Sequence, residues 1–180
     1  MLYIIIGFFL VCIDQLSKFL IADFFAFGQR YPVISGFFYL TNISNKGAAW
    51  GMLEGGKWFF IAVTVITIII MLFMFAKLKR FSFRMPMIMI ISGGIGNMID
   101  RLFRTDGVLD FLEFHFGDYI FPVFNFADIC VTLGAFFLVL VLWFGDRENK
   151  DVDNDTIDDE DSYDDYDEEF TENVVEEDGE

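Results

Sequence analysis

The chain has 180 residues, of which 55% are apolar and 25 are Phe, and this composition excludes an ordinary soluble domain. The formal net charge of -16 comes from one end. Residues 151–180 hold 17 acidic and no basic residues, so residues 1–150 hold the remaining 11 acidic and all 12 basic residues. A single histidine and two cysteines, both in apolar runs, disfavour the common zinc sites and a disulfide framework.

Four apolar runs predict membrane-spanning helices. The first, residues 1–22, lacks the basic start of a signal peptide, and Asp14 and Lys18 interrupt it before any cleavage site. At 1.5 Å per residue it is about 33 Å long, enough to cross a hydrocarbon core of about 30 Å. The other predicted spans are residues 58–76, 85–99 and 127–144.

Four basic residues predict the orientation of these spans. Lys77, Lys79, Arg80 and Arg84 lie in or beside the short loop between the second and third spans. Because such loops stay on the cytoplasmic side, both termini are predicted to be cytoplasmic, and residues 23–56 and 100–123 extracytoplasmic.

The two outward segments differ in their patterns. The first mixes β-branched and aromatic residues in partial alternation, which predicts short strands on the membrane surface. The second is rich in aromatic residues, which we expect in the membrane interface. The predicted fold class is an all-α membrane protein with four transmembrane helices and a small extracytoplasmic β-containing loop region. Residues 151–180 are predicted to be a disordered acidic cytoplasmic tail.

Polar residues converge at the outer ends of three spans. Charged residues in hydrocarbon are costly and usually face a bundle interior or a cavity. Glycines at 93, 94 and 96 would let the third span approach its neighbours closely. The polar residues are Asp14 and Lys18 in the first span, Asn97, Asp100 and Arg101 in the third, and Asn125 and Asp128 in the fourth.

This cluster favours acid–base chemistry. Two carboxylates that lie together cannot both ionise easily, so one keeps a proton while the other accepts one from a water. That division of roles suits amide hydrolysis. The composition of the cluster does not decide which two aspartates pair.

Five stretches carry a resemblance to a known family. The chain resembles the lipoprotein signal peptidase family, also called signal peptidase II, from residue 1 to about residue 147. The stretches, in order, are Asp14-Gln15-Leu16-Ser17-Lys18, Asn45-Lys46-Gly47-Ala48-Ala49-Trp50-Gly51, Gly93-Gly94-Ile95-Gly96-Asn97-Met98-Ile99-Asp100-Arg101, Val108-Leu109-Asp110-Phe111 and Phe124-Asn125-Phe126-Ala127-Asp128.

The resemblance implies a function for residues 1–150, a four-helix transmembrane aspartic peptidase domain of the bacterial cytoplasmic membrane with Asp110 and Asp128 as its catalytic pair. It implies a diacylglyceryl-modified prolipoprotein as substrate, cut before the lipidated cysteine, and no metal or organic cofactor. Membrane lipid is the other expected partner; we expect a monomer and no nucleic acid. The residues implied to line or support the site are Asn45, Asn97, Arg101, Asn125, Asp14, Lys18 and Asp100.

Other function classes remain open on the sequence. A transporter or proton relay would also use membrane carboxylates, although it predicts polar groups near the midplane and broken helices. A membrane scaffold would not explain why Asn125 precedes Asp128 at a helix start. A serine–lysine protease is disfavoured because Ser17 and Lys18 are adjacent, and adjacent helical residues point apart.

Overall fold

The computed structural model describes residues 1–47 and 56–157, with the course of the backbone alone over residues 145–157. The chain divides into two units, Met1–Val139 and Leu140–Glu180. The site described below lies in the first unit. Residues 48–51 of the second family stretch, and the acidic tail beyond residue 157, lie outside the described residues.

The described chain alternates long helices with short strands. Helix α4 continues seven residues past the predicted end of the membrane domain at residue 150. The elements, in order, are α1 (Leu2–Phe24), β1 (Arg30–Ile34), β2 (Phe38–Asn45), α2 (Lys57–Lys77), α3 (Phe81–Phe103), β3 (Val108–Phe116), β4 (Tyr119–Ile120) and α4 (Phe126–Ile157).

Three of the described helices are long and apolar enough to cross a membrane, namely α1, α2 and the Phe126–Phe144 part of α4. No residue of α2 is buried, so its apolar side chains need lipid around them. Helix α3 has 23 residues but is less apolar, and its buried side chains include Ser92, Asn97 and Asp100. Of the four predicted transmembrane helices, three are therefore candidate membrane spans by their length and composition.

The fold is not all-α, and this part of the prediction was wrong. Strands β1 to β4 form a four-stranded sheet in that order, with antiparallel pairing throughout. The short strands expected in residues 23–56 are present as β1 and β2. Within residues 100–123, the backbone of β3 pairs with β2, and Phe111 packs in a buried cluster with Ile21 and Leu109. The place of this segment in the membrane interface stays a prediction.

Helix α3 packs against three other helices through small residues. A Cβ built on Gly93 would collide with the carbonyl oxygen of Ala127 in α4. A Cβ on Gly96 would lie 2.5 Å from Asp14 Oδ2 in α1, and one on Gly94 would lie 3.4 Å from Thr64 Cγ2 in α2. The glycines thus place the polar end of α3 against α1 and α4 at backbone distance.

Candidate active site

Asp110 and Asp128 reach one site from two kinds of element. Asp110 lies on β3 and is 2% exposed, and Asp128 lies in the first turn of α4. Asn125 contacts both: its side-chain Nδ2 donates to Asp110 Oδ1 over 2.6 Å, and its backbone N–H donates to Asp128 Oδ2 over 3.1 Å. One asparagine therefore holds both carboxylates.

The start of α4 fixes the orientation of Asp128. Asn125 precedes the first helical residue, and its Oδ1 accepts a hydrogen bond of 3.0 Å from the backbone N–H of Asp128. Since the carboxylate of Asp128 accepts from the backbone of Asn125 in return, the two residues form a reciprocal capping box. The spacing of three residues noted in the sequence is explained by this cap.

Asn97 connects Asp128 to the interior of the helix bundle. Its Nδ2 donates to Asp128 Oδ1 over 2.7 Å. Its Oδ1 accepts from Lys18 Nζ over 3.0 Å and from Asn125 Nδ2 over 3.1 Å. Both ends of the Asn97 amide are thus occupied, which fixes its rotamer.

Lys18 is fully buried between two carboxylates. Its Nζ lies 3.0 Å from Asp14 Oδ2 and 3.1 Å from Asp100 Oδ2, and both acids are 1% exposed. Asp14 Oδ1 accepts from the backbone N–H of Ala127 over 2.9 Å, and Asp100 Oδ2 accepts from that of Leu109 over 3.1 Å. Asp14 therefore holds the residue directly before Asp128, and Asp100 holds the residue directly before Asp110.

Asn45 and Arg101 complete the set of predicted site residues. Asn45 Nδ2 donates to Asp110 Oδ2 over 2.9 Å. The Arg101 guanidinium lies 5.1 Å from the centre of the Phe60 ring, and its Nη1 donates to the Asn97 carbonyl oxygen over 3.4 Å. All nine predicted residues therefore belong to one connected polar network, although this placement does not by itself establish their roles.

Asp110 is poised to exchange a proton near neutral pH. Burial, and then the negative charge of Asp128, raise the pKa of Asp110 to about 7, although hydrogen bonds from Asn45 and Asn125 oppose this shift. Near neutral pH the acid therefore exists in both forms. Such a carboxyl group, beside a second one, is able to give or take a proton in acid–base chemistry.

Gln15, which was not among the predicted site residues, also belongs to this network. Its Nε2 lies 3.0 Å from Asp14 Oδ2, 3.1 Å from the Gly96 carbonyl oxygen and 3.4 Å from Asp100 Oδ1. A polar residue directly after Asp14 inside an apolar run was the available signal.

A buried carboxylate outside this network, that of Glu113 on β3, was also missed. Arg30 Nη2 and Nε contact the two oxygens of Glu113 at 2.8 and 3.0 Å, and His115 Nε2 contacts the same carboxylate. The ring of Tyr39 lies tilted against that of His115, with ring centres 4.6 Å apart. The contact between Arg30 and Glu113 joins β1 to β3 across β2. The alternation of residues within β3 alone did not indicate that Glu113 contacts Arg30.

An apolar cavity of about 300 Å³ opens beside Asp128. Its lining is almost entirely apolar, so it suits a hydrocarbon group better than a polar one. The lining residues are Phe121, Phe124, Asp128, Ile129, Thr132 and Leu133.

Residues 6–144 match the family model described as Signal peptidase (SPase) II. A lipoprotein signal peptidase of Bacillus pumilus is 40% identical over 153 residues, which cover 84% of this chain and 98% of the relative. A lipoprotein signal peptidase of Listeria monocytogenes is 38% identical over 155 residues, covering 84% of this chain and 99% of the relative.

Solved structures give the same result for the fold. A bacterial membrane enzyme determined at 2.3 Å resolution by the in meso method superposes with a TM-score of 0.75 at 35% identity. The match covers 82% of this chain and 90% of that one. The chain therefore belongs to the signal peptidase II family.

Proposed function

We propose that this chain is an aspartic endopeptidase that removes the signal peptide from diacylglyceryl-modified prolipoproteins by cutting before the lipidated cysteine. Membership of the signal peptidase II family supports the substrate class. The observation that carries the catalytic assignment is the pair of hydrogen bonds from Asn125 to Asp110 and Asp128. These bonds direct two carboxyl groups from different elements to one site.

The proposed reaction is water attack on the scissile amide. The ionised carboxylate of the pair takes a proton from a water, whose oxygen forms a bond to the carbonyl carbon. The protonated carboxyl donates a hydrogen bond to the carbonyl oxygen and stabilises its developing charge. The carbon–nitrogen bond then breaks as the nitrogen takes a proton, leaving a peptide carboxylate and a free amino group on the cysteine. We assign the shared proton to the pair and not to one residue.

The other site residues have supporting roles in this proposal. Asn45 and Asn125 hold Asp110, and Asn97 holds Asp128. Arg101 supplies positive charge near the pair, and the buried group of Asp14, Lys18 and Asp100 positions the backbone before each catalytic residue. The cavity beside Asp128 would receive an apolar part of the substrate. The reaction as written uses no metal or organic cofactor.

We also propose that α3 is the fourth membrane span. Its 23 residues give a length of about 34 Å, sufficient for the hydrocarbon core. Its buried polar side chains contact other helices and not lipid, which accounts for its lower apolar content. With Lys77, Lys79, Arg80 and Arg84 on the cytoplasmic side, both termini are cytoplasmic and the carboxylate pair is extracytoplasmic. The proposed enzyme acts as a monomer.

The test compares three single substitutions of the same chemical kind. Asp110→Asn and Asp128→Asn each remove one carboxylate, whereas Asp106→Asn removes an exposed carboxylate four residues from Asp110. Cleavage of a purified diacylglyceryl prolipoprotein is followed by the mass of the products. Asp110→Asn and Asp128→Asn are expected to lose at least about 100-fold in rate, the usual contribution of acid–base catalysis, and Asp106→Asn to stay near the parent rate.

Folding is checked on the same samples by detergent-solubilised yield and thermal unfolding. Normal turnover by a folded Asp110→Asn or Asp128→Asn variant would exclude the pair as catalytic. Loss of cleavage in the parent protein, together with proton flux in proteoliposomes that needs these acids, would favour the transporter hypothesis instead.

A further inference from the structure

A positively charged pocket lies beside the carboxylate pair, and the proposed hydrolysis does not require it as a binding site. Its volume is about 200 Å³. Four cations contribute to its lining, and none of the described lining residues is acidic. Its principal residues are Lys46, Lys57, Arg101 and Arg104, with Asn45 and Thr105 as neutral polar members.

The charges of this cationic pocket are only partly compensated. Among the described residues, Lys46 and Lys57 form no ion pair. Arg101 forms no direct ion pair with a described residue either, but it interacts electrostatically with Asp128, Asp110 and Asp100. Arg104 contacts Asp100 Oδ1 through Nε at 3.3 Å, and its two terminal nitrogens form no hydrogen bond with the described part of the chain. Asp100 also neutralises Lys18, so it offsets only part of the pocket's charge.

Four neighbouring like charges repel one another, and a bound anion would remove much of that repulsion. A phosphate fits this set of donors better than a carboxylate, since it offers more acceptor oxygens and a larger charge. Arginine forks bind phosphate oxygens in pairs, and lysine contributes a compact charge. The Thr105 hydroxyl and the Asn45 amide are further polar groups in the lining.

The pocket lies at helix ends, where lipid headgroups are found. Lys57 is the first residue of α2, and Arg101 lies in the last turn of α3. Trp58, which directly follows Lys57, is 74% exposed. Phe103, which directly precedes Arg104, is 81% exposed. Exposed aromatic residues next to basic ones are typical of the membrane–water interface.

We propose that the cationic pocket binds a phosphate group, carried either by the headgroup of an anionic phospholipid or by free inorganic phosphate. This binding goes beyond the proposed proteolysis and does not depend on which acids are catalytic. A phosphate bound there would be shared between α2, α3 and the end of β2, and would lie close to the Asn45 side chain that contacts Asp110.

The test uses the full chain and a charge-matched control at the opposite helix ends. Lys46→Gln with Lys57→Gln removes two pocket charges, and Lys77→Gln with Lys79→Gln removes two charges far along α2 and in the α2–α3 connection. One arm measures retention of phosphatidylglycerol by native mass spectrometry after reconstitution in nanodiscs of phosphatidylcholine and phosphatidylglycerol. The second arm measures binding of inorganic phosphate to the protein in neutral detergent by calorimetry.

The pocket variant is expected to bind about 30-fold more weakly, because it lacks two basic residues and each contributes about fivefold to the binding of an anionic group. The control should stay within about twofold of the parent. Lys46→Arg with Lys57→Arg should restore binding, which separates charge from folding. Loss confined to the lipid arm assigns a phospholipid headgroup, and loss in the phosphate arm alone assigns free phosphate.

Equal binding by the pocket variant and the control in both arms would overturn the proposal. Because neither arm involves turnover, that result would leave the proposed hydrolysis unaffected, and the aspartate substitutions would still test it separately.

Discussion

The side-chain amide of Asn125 donates a hydrogen bond of 2.6 Å to Asp110 Oδ1. The same residue caps α4 through its Oδ1, which accepts from the backbone N–H of Asp128. The amide nitrogen of Asn125 therefore contacts Asp110 on β3, and its amide oxygen caps α4, the helix that contains Asp128. These two uses can be separated by substitution.

Asn125→Ser should keep the cap and lose the contact with Asp110, because serine is a good N-cap residue but its hydroxyl is too short to replace the amide. We expect Asn125→Ser to lose about 1–3 kcal/mol of stability, because the buried acceptors on Asp110 and Asn97 lose a donor, and its cleavage rate to fall at least about tenfold. Asn125→Ala should lose the same activity and about 1 kcal/mol of stability more, because the cap is lost as well. Unfolding in detergent and cleavage by mass spectrometry measure the two effects. Full activity of the serine variant would show that the amide contact is dispensable.

Asn45→Ala should move the alkaline limb of the pH–rate profile to higher pH. The Asn45 donor favours the ionised form of Asp110 and lowers its pKa, so removing that donor raises the pKa. The proton that the pair needs is then kept to higher pH. Asn42→Ala is the control, because Asn42 lies on the same strand but donates to the Phe25 carbonyl oxygen. A shift in the opposite direction, or an equal shift in the control, would contradict the assignment.

Removing the Lys18 charge should destabilise the fold strongly. In Lys18→Met, Asp14 loses its only cation among the described residues, whereas Asp100 keeps Arg104. Removing one partner of a buried ion pair lowers the free energy of unfolding by about 3–5 kcal/mol, because the other charge stays buried without a partner. Adding Asp14→Asn to Lys18→Met should recover part of the free energy of unfolding, because the buried charge is then removed. Denaturation in mixed micelles measures both variants, and a lack of recovery would show that Asp14 is not the residue left unpaired.

Two glycine positions on α3, two residues apart, should respond differently to a methyl group. The Cβ of Gly96→Ala would lie 2.5 Å from Asp14 Oδ2 and 3.3 Å from Ala127 Cβ, so α1 or α4 must shift. The Cβ of Gly94→Ala would make an ordinary contact of 3.4 Å with Thr64. We expect Gly96→Ala to lose about 1–3 kcal/mol of stability and most of its activity, and Gly94→Ala to behave like the parent. Similar melting temperatures and rates for the two variants would contradict this packing.

The sequence predicted the helices better than it predicted the sheet. Long apolar runs located α1, α2 and α4, since length and apolar content are local properties. Helix α3 extends beyond the predicted residues 85–99 to Phe81–Phe103, and beyond residue 99 its Asp100 has partners on other elements, namely Lys18 and the backbone N–H of Leu109. The run of apolar residues alone could not show those partners.

Strand β3 illustrates what the sequence could not predict about the second outward segment. Its aromatic residues suggested the membrane interface, which stays a prediction. They did not show that Phe111 and Leu109 pack on Ile21, or that the strand pairs with residues 63 to 76 positions earlier. Such pairing depends on register and not on local composition. The Arg30–Glu113 pair was missed for the same reason, because its two residues meet only when β1, β2 and β3 are aligned.

The ammonium of Lys18 touches neither Asp110 nor Asp128, yet the backbone immediately ahead of each is fastened to one of its two acidic partners. Lys18 and Asp14 belong to α1, whereas Asp100 belongs to α3, so the contact between these two helices runs through the same ammonium that joins the two supports. A shift of α1 against α3 would therefore disturb the backbone ahead of both acids, and not of one alone.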